Sequence, residues 1–156
     1  MTYFMLMITF MGSWKTILFL NLILIFFLNK KIKLFLTIAL SSLSNLVIVE
    51  PLKILIREPR PLGGLIVENS FSFPSGHAYS AVTFYGLLTY LLYKKTKNKL
   101  ILIPGIIFIG LIAYSRIYLG VHYWHDVIAG LILGGLWLGG IIYLSTPRPI
   151  RPTKIR

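Results

Sequence analysis

Residues 100–144 read LILIPGIIFIGLIAYSRIYLGVHYWHDVIAGLILGGLWLGGIIYL. Two apolar runs, 100–118 and 123–144, are separated by the tight turn 119–122, and polar side chains gather where the runs meet. Each run has roughly the 18–23 residues that carry an α-helix across a hydrocarbon core of ~30 Å. The pair reads as two membrane-crossing helices. Ser115 and Arg116 close the first, while His122, His125 and Asp126 open the second.

Similar runs lie upstream at 34–56 and 76–93. A fifth, 14–28, is short and has Lys15 at its edge, since a lysine at mid-bilayer is costly. Residues 1–11 are apolar but too short to cross alone. They are expected to form an interfacial helix rather than the start of one long tilted span. The expected fold is therefore all-α: a polytopic transmembrane helix bundle of five to six spans, built as one domain over 1–156. Composition agrees. Of 156 residues, 56% are hydrophobic and only 13% charged, with mean hydropathy +0.81, which excludes an ordinary soluble domain, a coiled coil and a disordered chain. There is no cysteine, which removes disulfides, thiolate catalysis and Cys-based metal sites. The first cation is Lys15, so the start lacks the basic region of a secretory signal, and the apolar segments themselves are expected to direct insertion.

The net charge of +12 is distributed unevenly. With five spans, the loop KKIK (30–33), the loop KKTKNK (94–99) and the tail PRPIRPTKIR (147–156) share one side. They hold eleven of the sixteen Lys and Arg and no acid. That side is expected to be cytoplasmic, with 147–156 a basic cytoplasmic tail and no nucleic-acid role. The other, extracytoplasmic side carries Lys15, Lys53, Arg57, Arg60 and Arg116 with all four acids, Glu50, Glu58, Glu68 and Asp126.

Taken singly, these polar residues have ordinary readings. Lys53 could snorkel from a helix end, Ser75 could cap a helix, and Asp126 could complement a helix dipole. His125 reads as structural, and Tyr114, Tyr118, Tyr123 and Trp124 as an interfacial aromatic belt. Taken together they read as a phosphate cradle. Lys53, Arg60 and Arg116 are three cations on one face, and arginine favours phosphate oxygens bidentately. Ser75 and Gly76 at a helix start add free backbone N–H groups and the positive dipole end. His122 and Asp126, four apart, suit an imidazole whose tautomer and basicity are set by a carboxylate, a nucleophile toward phosphorus. His77 beside the cradle suits the general acid. No carboxylate cluster suited to Mg²⁺ is evident, so neither metal nor cofactor is expected.

These residues resemble the type 2 phosphatidic acid phosphatases, which share their site with vanadium haloperoxidases and glucose-6-phosphatase. Lys-x6-Arg-Pro stands here as Lys53-ILIREP-Arg60-Pro61, Pro-Ser-Gly-His as 74–77, and Ser-Arg-x5-His-x3-Asp as Ser115-Arg116-IYLGV-His122-YWH-Asp126. The resemblance covers the motif core 53–126. It implies phosphate binding by Lys53, Arg60, Ser75, Gly76 and Arg116. It further implies a phosphohistidine on His122 supported by Asp126, and leaving-group protonation by His77. The substrate implied is a membrane lipid phosphate in the bilayer: lipid A 1-phosphate, undecaprenyl diphosphate or phosphatidylglycerol phosphate. The setting implied is a bacterial inner membrane, with no obligate protein partner evident. A lipid phosphotransferase would use the same residues, and an anion or lipid transporter could line a path with the same cations.

Overall fold

The computed structural model describes residues 1–28 and 32–145. The basic tail 147–156 and Lys30 and Lys31 of the KKIK loop lie outside the described residues. The secondary structure of the described residues is all helical, with no strand among them. Helices α1 (Thr2–Met11), α2 (Trp14–Leu28) and α3 (Ile32–Ile56) precede a long loop. After it come α4 (Gly76–Ser80), a π-helical segment (Ala81–Gly86) and α5 (Leu87–Thr96), which follow one another without a break. A single 3₁₀ turn (Lys99–Ile101) leads into α6 (Leu102–Tyr118), and α7 (Trp124–Ser145) completes the bundle.

Three helices, Ile32–Ile56, Lys99–Tyr118 and Trp124–Ser145, have the length and apolarity to cross a membrane, and α1 with the start of α2 would together make a fourth. That pair is bent by 52°, so residues 1–28 are not one straight span. Ser13 sits at the bend, its Oγ accepting the Thr16 N–H at 3.2 Å, which caps α2. The continuous helix 76–96 is long enough to cross, at roughly 1.5 Å per residue. It is less apolar because it is the innermost element. Ala78, Tyr79, Ala81 and Phe84 are wholly buried, and Ser80 and Thr83 sit beside them.

The outer surface inverts the soluble pattern. Large side chains such as Ile106, Leu136 and Phe26 face outward on their helices, as apolar groups do when lipid is the solvent. Helix association then depends on close packing. Gly130 and Gly134 provide it for α7: a Cβ on Gly130 would fall 2.5 Å from the Ser75 carbonyl oxygen, and one on Gly134 2.9 Å from Val82 Cβ. This contact seats the start of α7 beside the start of α4. Helix α1 packs on α6, with Met5 buried against Leu119 and Val121. Lys53, Arg116 and the starts of α4 and α7 therefore meet at one end of the bundle. Lys33, Lys94, Lys95, Lys97 and Lys99 lie at the other.

Candidate active site

The turn after α6 is made by Gly120, whose φ of +67° is easy only for glycine. The loop 57–75 folds over this turn. Leu65 donates its N–H to the Leu119 carbonyl at 2.9 Å, and a Cβ on Gly64 would meet the Gly120 carbonyl oxygen at 2.8 Å. These close approaches bring Arg60, Glu68 and Ser70 down onto the helix ends.

His122 precedes α7 instead of lying on it. The sequence spacing suggested one helical face, but the helix begins at Trp124. Asp126 instead reaches back from the first turn. Its Oδ2 accepts the Tyr123 backbone N–H at 2.9 Å, half of a capping box, and the His122 Nδ1–H at 3.1 Å. The Ser72 hydroxyl donates to the same oxygen. Asp126 is wholly buried, so three donors on one carboxylate oxygen fix both the turn and the ring. With its proton on Nδ1, His122 presents an unprotonated Nε2, and Arg60 Nη1 donates to that nitrogen at 3.1 Å. Burial, with help from the Arg116 and Arg60 cations, outweighs the Asp126 hydrogen bond and pushes the His122 pKa down to about 4.

The cations are held by the loop and by α1. Lys53 is 5% exposed and donates to Ser70 Oγ at 3.2 Å and the Phe71 carbonyl at 2.9 Å. It is a buried residue, not a lysine reaching for the surface. Arg60 donates through Nε to the Ser70 carbonyl at 2.7 Å and through Nη1 to the Val121 carbonyl at 2.7 Å. Arg116, 1% exposed, donates to Thr9 Oγ1 at 2.6 Å and to Glu68 Oε1 at 2.5 Å. Burial would raise the Glu68 carboxyl, but the Arg116 hydrogen bond and the nearby cations hold it below the usual carboxylate range. Ser75 caps α4 through the Ala78 N–H, and its own N–H donates to the Asp126 carbonyl at 2.9 Å. Gly76 faces α3: its missing Cβ would lie 3.3 Å from Asn45 Nδ2, which donates to the Gly76 carbonyl at 2.9 Å.

All of this opens on one cavity of about 730 Å³. Its polar end is lined by Lys53, Arg60, Gly76, His77, Arg116 and His122, together with Glu50, Glu68 and Ser70. The cavity continues as an apolar trough between α2 and α3, past Ile17, Leu18, Leu22, Phe35, Leu43 and Leu46. The structure thus brings six of the eight site residues named from sequence onto one wall, with Ser75 and Asp126 directly behind it. Sequence reading missed Thr9, Glu68, Ser70 and Ser72. Their roles come from contacts 17 to 107 residues away in the chain, and no local pattern marks them. His125, read as structural, stacks on Tyr123 and lies 2.7 Å from Glu58 Oε1.

The bundle has helices of membrane-crossing length and gathers three buried or half-buried cations around a histidine supported by a carboxylate, the build of an integral-membrane protein with a charged cavity. The chain belongs to the PAP2 superfamily, whose family model matches residues 30–149. Phosphatidylglycerophosphatase B of Bacillus subtilis is 42% identical over 90 residues, which are 53% of this chain and 44% of that protein. Undecaprenyl-diphosphatase of Sulfolobus acidocaldarius is 36% identical over 138 residues, 83% of this chain and 63% of that protein. The matched regions thus span less than two thirds of either relative's length. A crystal structure described as a transmembrane PAP2 type phosphatidylglycerolphosphate phosphatase from Bacillus subtilis superposes with a TM-score of 0.86 at 31% identity, over 96% of this chain and 79% of that one.

Proposed function

We propose that the protein is a lipid phosphate phosphatase that removes the terminal phosphoryl group from a membrane lipid without a metal ion. The observation that carries this reading is one cavity, with the three cations, His77 and His122 at its polar end and an apolar trough leading away between α2 and α3. A lipid lying in the trough would place its phosphate among Lys53, Arg60 and Arg116. These cations supply the charge stabilisation that a metal would otherwise provide.

In the proposed reaction His122 Nε2 attacks phosphorus in line as the bond to the lipid oxygen breaks. His77, which takes up a proton once the anionic phosphate offsets the surrounding cations, gives that proton to the oxygen. The phosphohistidine is then hydrolysed: water attacks phosphorus, the P–N bond breaks, His77 recovers a proton, and inorganic phosphate leaves. Asp126 holds the ring and stabilises its positive charge. Substrate phosphate would also draw Arg60 off Nε2 and so expose the nucleophile.

The named activities of the relatives support phosphatidylglycerol phosphate or a polyprenyl diphosphate as substrate. Lipid A 1-phosphate rests on the outward-facing arrangement alone. Purified protein in micelles with EDTA present should release phosphate from at least one of phosphatidylglycerol phosphate, undecaprenyl diphosphate, lipid A 1-phosphate and phosphatidic acid. Loss of activity in EDTA with recovery in Mg²⁺ would refute the metal-free mechanism. Absence of release from all four would refute the phosphatase reading.

The proposed setting is a bacterial inner membrane crossed five or six times, with the site facing outward. The lysine-rich end supports this orientation by the positive-inside rule. The chain has no cysteine, so single introduced ones report cleanly. In intact cells a membrane-impermeant thiol reagent should label Asn69→Cys and spare Lys95→Cys. The reverse labelling would overturn the orientation.

A further inference from the structure

Behind the cavity, Asp126 is unevenly satisfied. Its Oδ2 takes three hydrogen bonds, while its Oδ1, fully buried, accepts none. His125 Nε2 stands 3.2 Å from it, but that nitrogen also lies 2.7 Å from Glu58 Oε1. A ring nitrogen carries one proton, and it points along the shorter contact. Two carboxylate oxygens and one imidazole nitrogen therefore converge with a single proton among them, all within 4.8 Å of one another. A buried oxygen left without a donor calls for a water or an ion.

We propose that Glu58, His125 and Asp126 form a divalent-cation site, suited to Zn²⁺, whose occupancy slows the phosphatase. The donor set selects the metal. Imidazole with two carboxylates suits zinc, whereas Mg²⁺ and Ca²⁺ take oxygen ligands. Ligands ~2.1 Å from a tetrahedral zinc stand about 3.4 Å apart; here the imidazole nitrogen stands 2.7 and 3.2 Å from the two carboxylates, and all three atoms lie within 4.8 Å. The fourth position opens to water, because the His125 side chain is 57% exposed. Replacing the His125 proton by a cation would satisfy Asp126 Oδ1 at the same time.

The site is regulatory in consequence. A cation on Oδ1 draws electron density from the carboxylate that supports His122 through Oδ2. The His122 ring then loses basicity at Nε2. Neither Glu58 nor His125 lines the cavity, so the metal would act through Asp126 without blocking substrate.

The inhibitory part rests on the phosphatase reading, and the binding part does not. Tag-free protein in detergent is titrated with Co²⁺ and followed by its visible absorption, with Zn²⁺ as competitor. One Co²⁺ per chain is expected, displaced by Zn²⁺, with affinity weakened at least about tenfold in the isosteric E58Q and in H125A. Both variants should keep basal phosphate release measured with EDTA, which reports that they are folded. Zn²⁺ should slow the unsubstituted enzyme and leave the variants unaffected. No stoichiometric Co²⁺ uptake, or uptake by both variants equal to that of the unsubstituted protein, would overturn the site. Site-specific binding without slowing of an active enzyme would overturn the coupling to His122. A protein that binds Co²⁺ as expected but hydrolyses no lipid phosphate would leave the metal site standing and remove the phosphatase.

Discussion

His122→Ala is expected to reduce phosphate release to that of a buffer blank, a loss of at least about 10⁴-fold, since removing a covalent nucleophile removes the reaction path itself. The protein should still fold. His122 stands in a turn fixed independently by Gly120 and by the Tyr123 N–H on Asp126. Acid-labile phosphate bound to protein should be trapped by rapid quenching in the unsubstituted enzyme and be absent in the variant. Turnover within tenfold of normal, or a trapped label that persists in the variant, would remove His122 from the nucleophile's role.

The same residue sets an acid limb. Attack needs an unprotonated Nε2, and the His122 pKa is pushed to about 4 in the free enzyme. The neutral fraction is therefore near complete at pH 6 and falls tenfold per pH unit below about 4. In kcat/KM, which reports the free enzyme, the limb should lie near pH 4 after correction for the substrate phosphate, whose second pKa is about 6. A limb near 6.5 would mean that Asp126 outweighs burial and the two arginines.

The bundle was readable because lipid imposes one requirement on every span, a long apolar run, and the runs are in the sequence. The site was readable where its chemistry is local: Lys53 to Arg60 across a helix end, Ser75 to His77 at a helix start. The link between His122 and Asp126 is legible in their spacing, but its geometry is not. Four-residue spacing suggested a helix face, whereas a glycine turn and a reach-back cap make the contact. Thr9 was invisible. One threonine in an apolar run means nothing until α1 folds onto α6 and places it 2.6 Å from Arg116. Glu68 was counted only as a charge, because a loop residue acquires a partner from tertiary structure alone. The break at residues 12 and 13 is legible in part: a separate helix over 1–11 requires it, whereas its angle of 52° comes from packing, which hydropathy does not record.

Arg116→Lys should preserve the fold and cost about 100- to 1000-fold in kcat/KM, the range for losing one preorganised donor at a developing charge. Charge is conserved in this change, so simple electrostatics predicts little effect. Geometry predicts otherwise. The planar guanidinium spans Thr9 and Glu68 with two separate nitrogens and leaves Nε buried without a partner. A lysine ammonium is a single point that cannot occupy both positions. It would follow Glu68, and the cavity wall would lose its fixed donor. Vanadate, which mimics the five-coordinate phosphorus of the transition state, should correspondingly lose affinity in the variant. The thermal midpoint in detergent separates this from unfolding. Arg116→Ala strips a half-buried carboxylate of its partner and should lower the midpoint clearly, whereas Arg116→Lys should leave it near that of the unsubstituted protein. If Arg116→Lys kept kcat/KM within about threefold, Arg116 would serve the fold through Thr9 and Glu68, and the cradle would rest on Lys53 and Arg60.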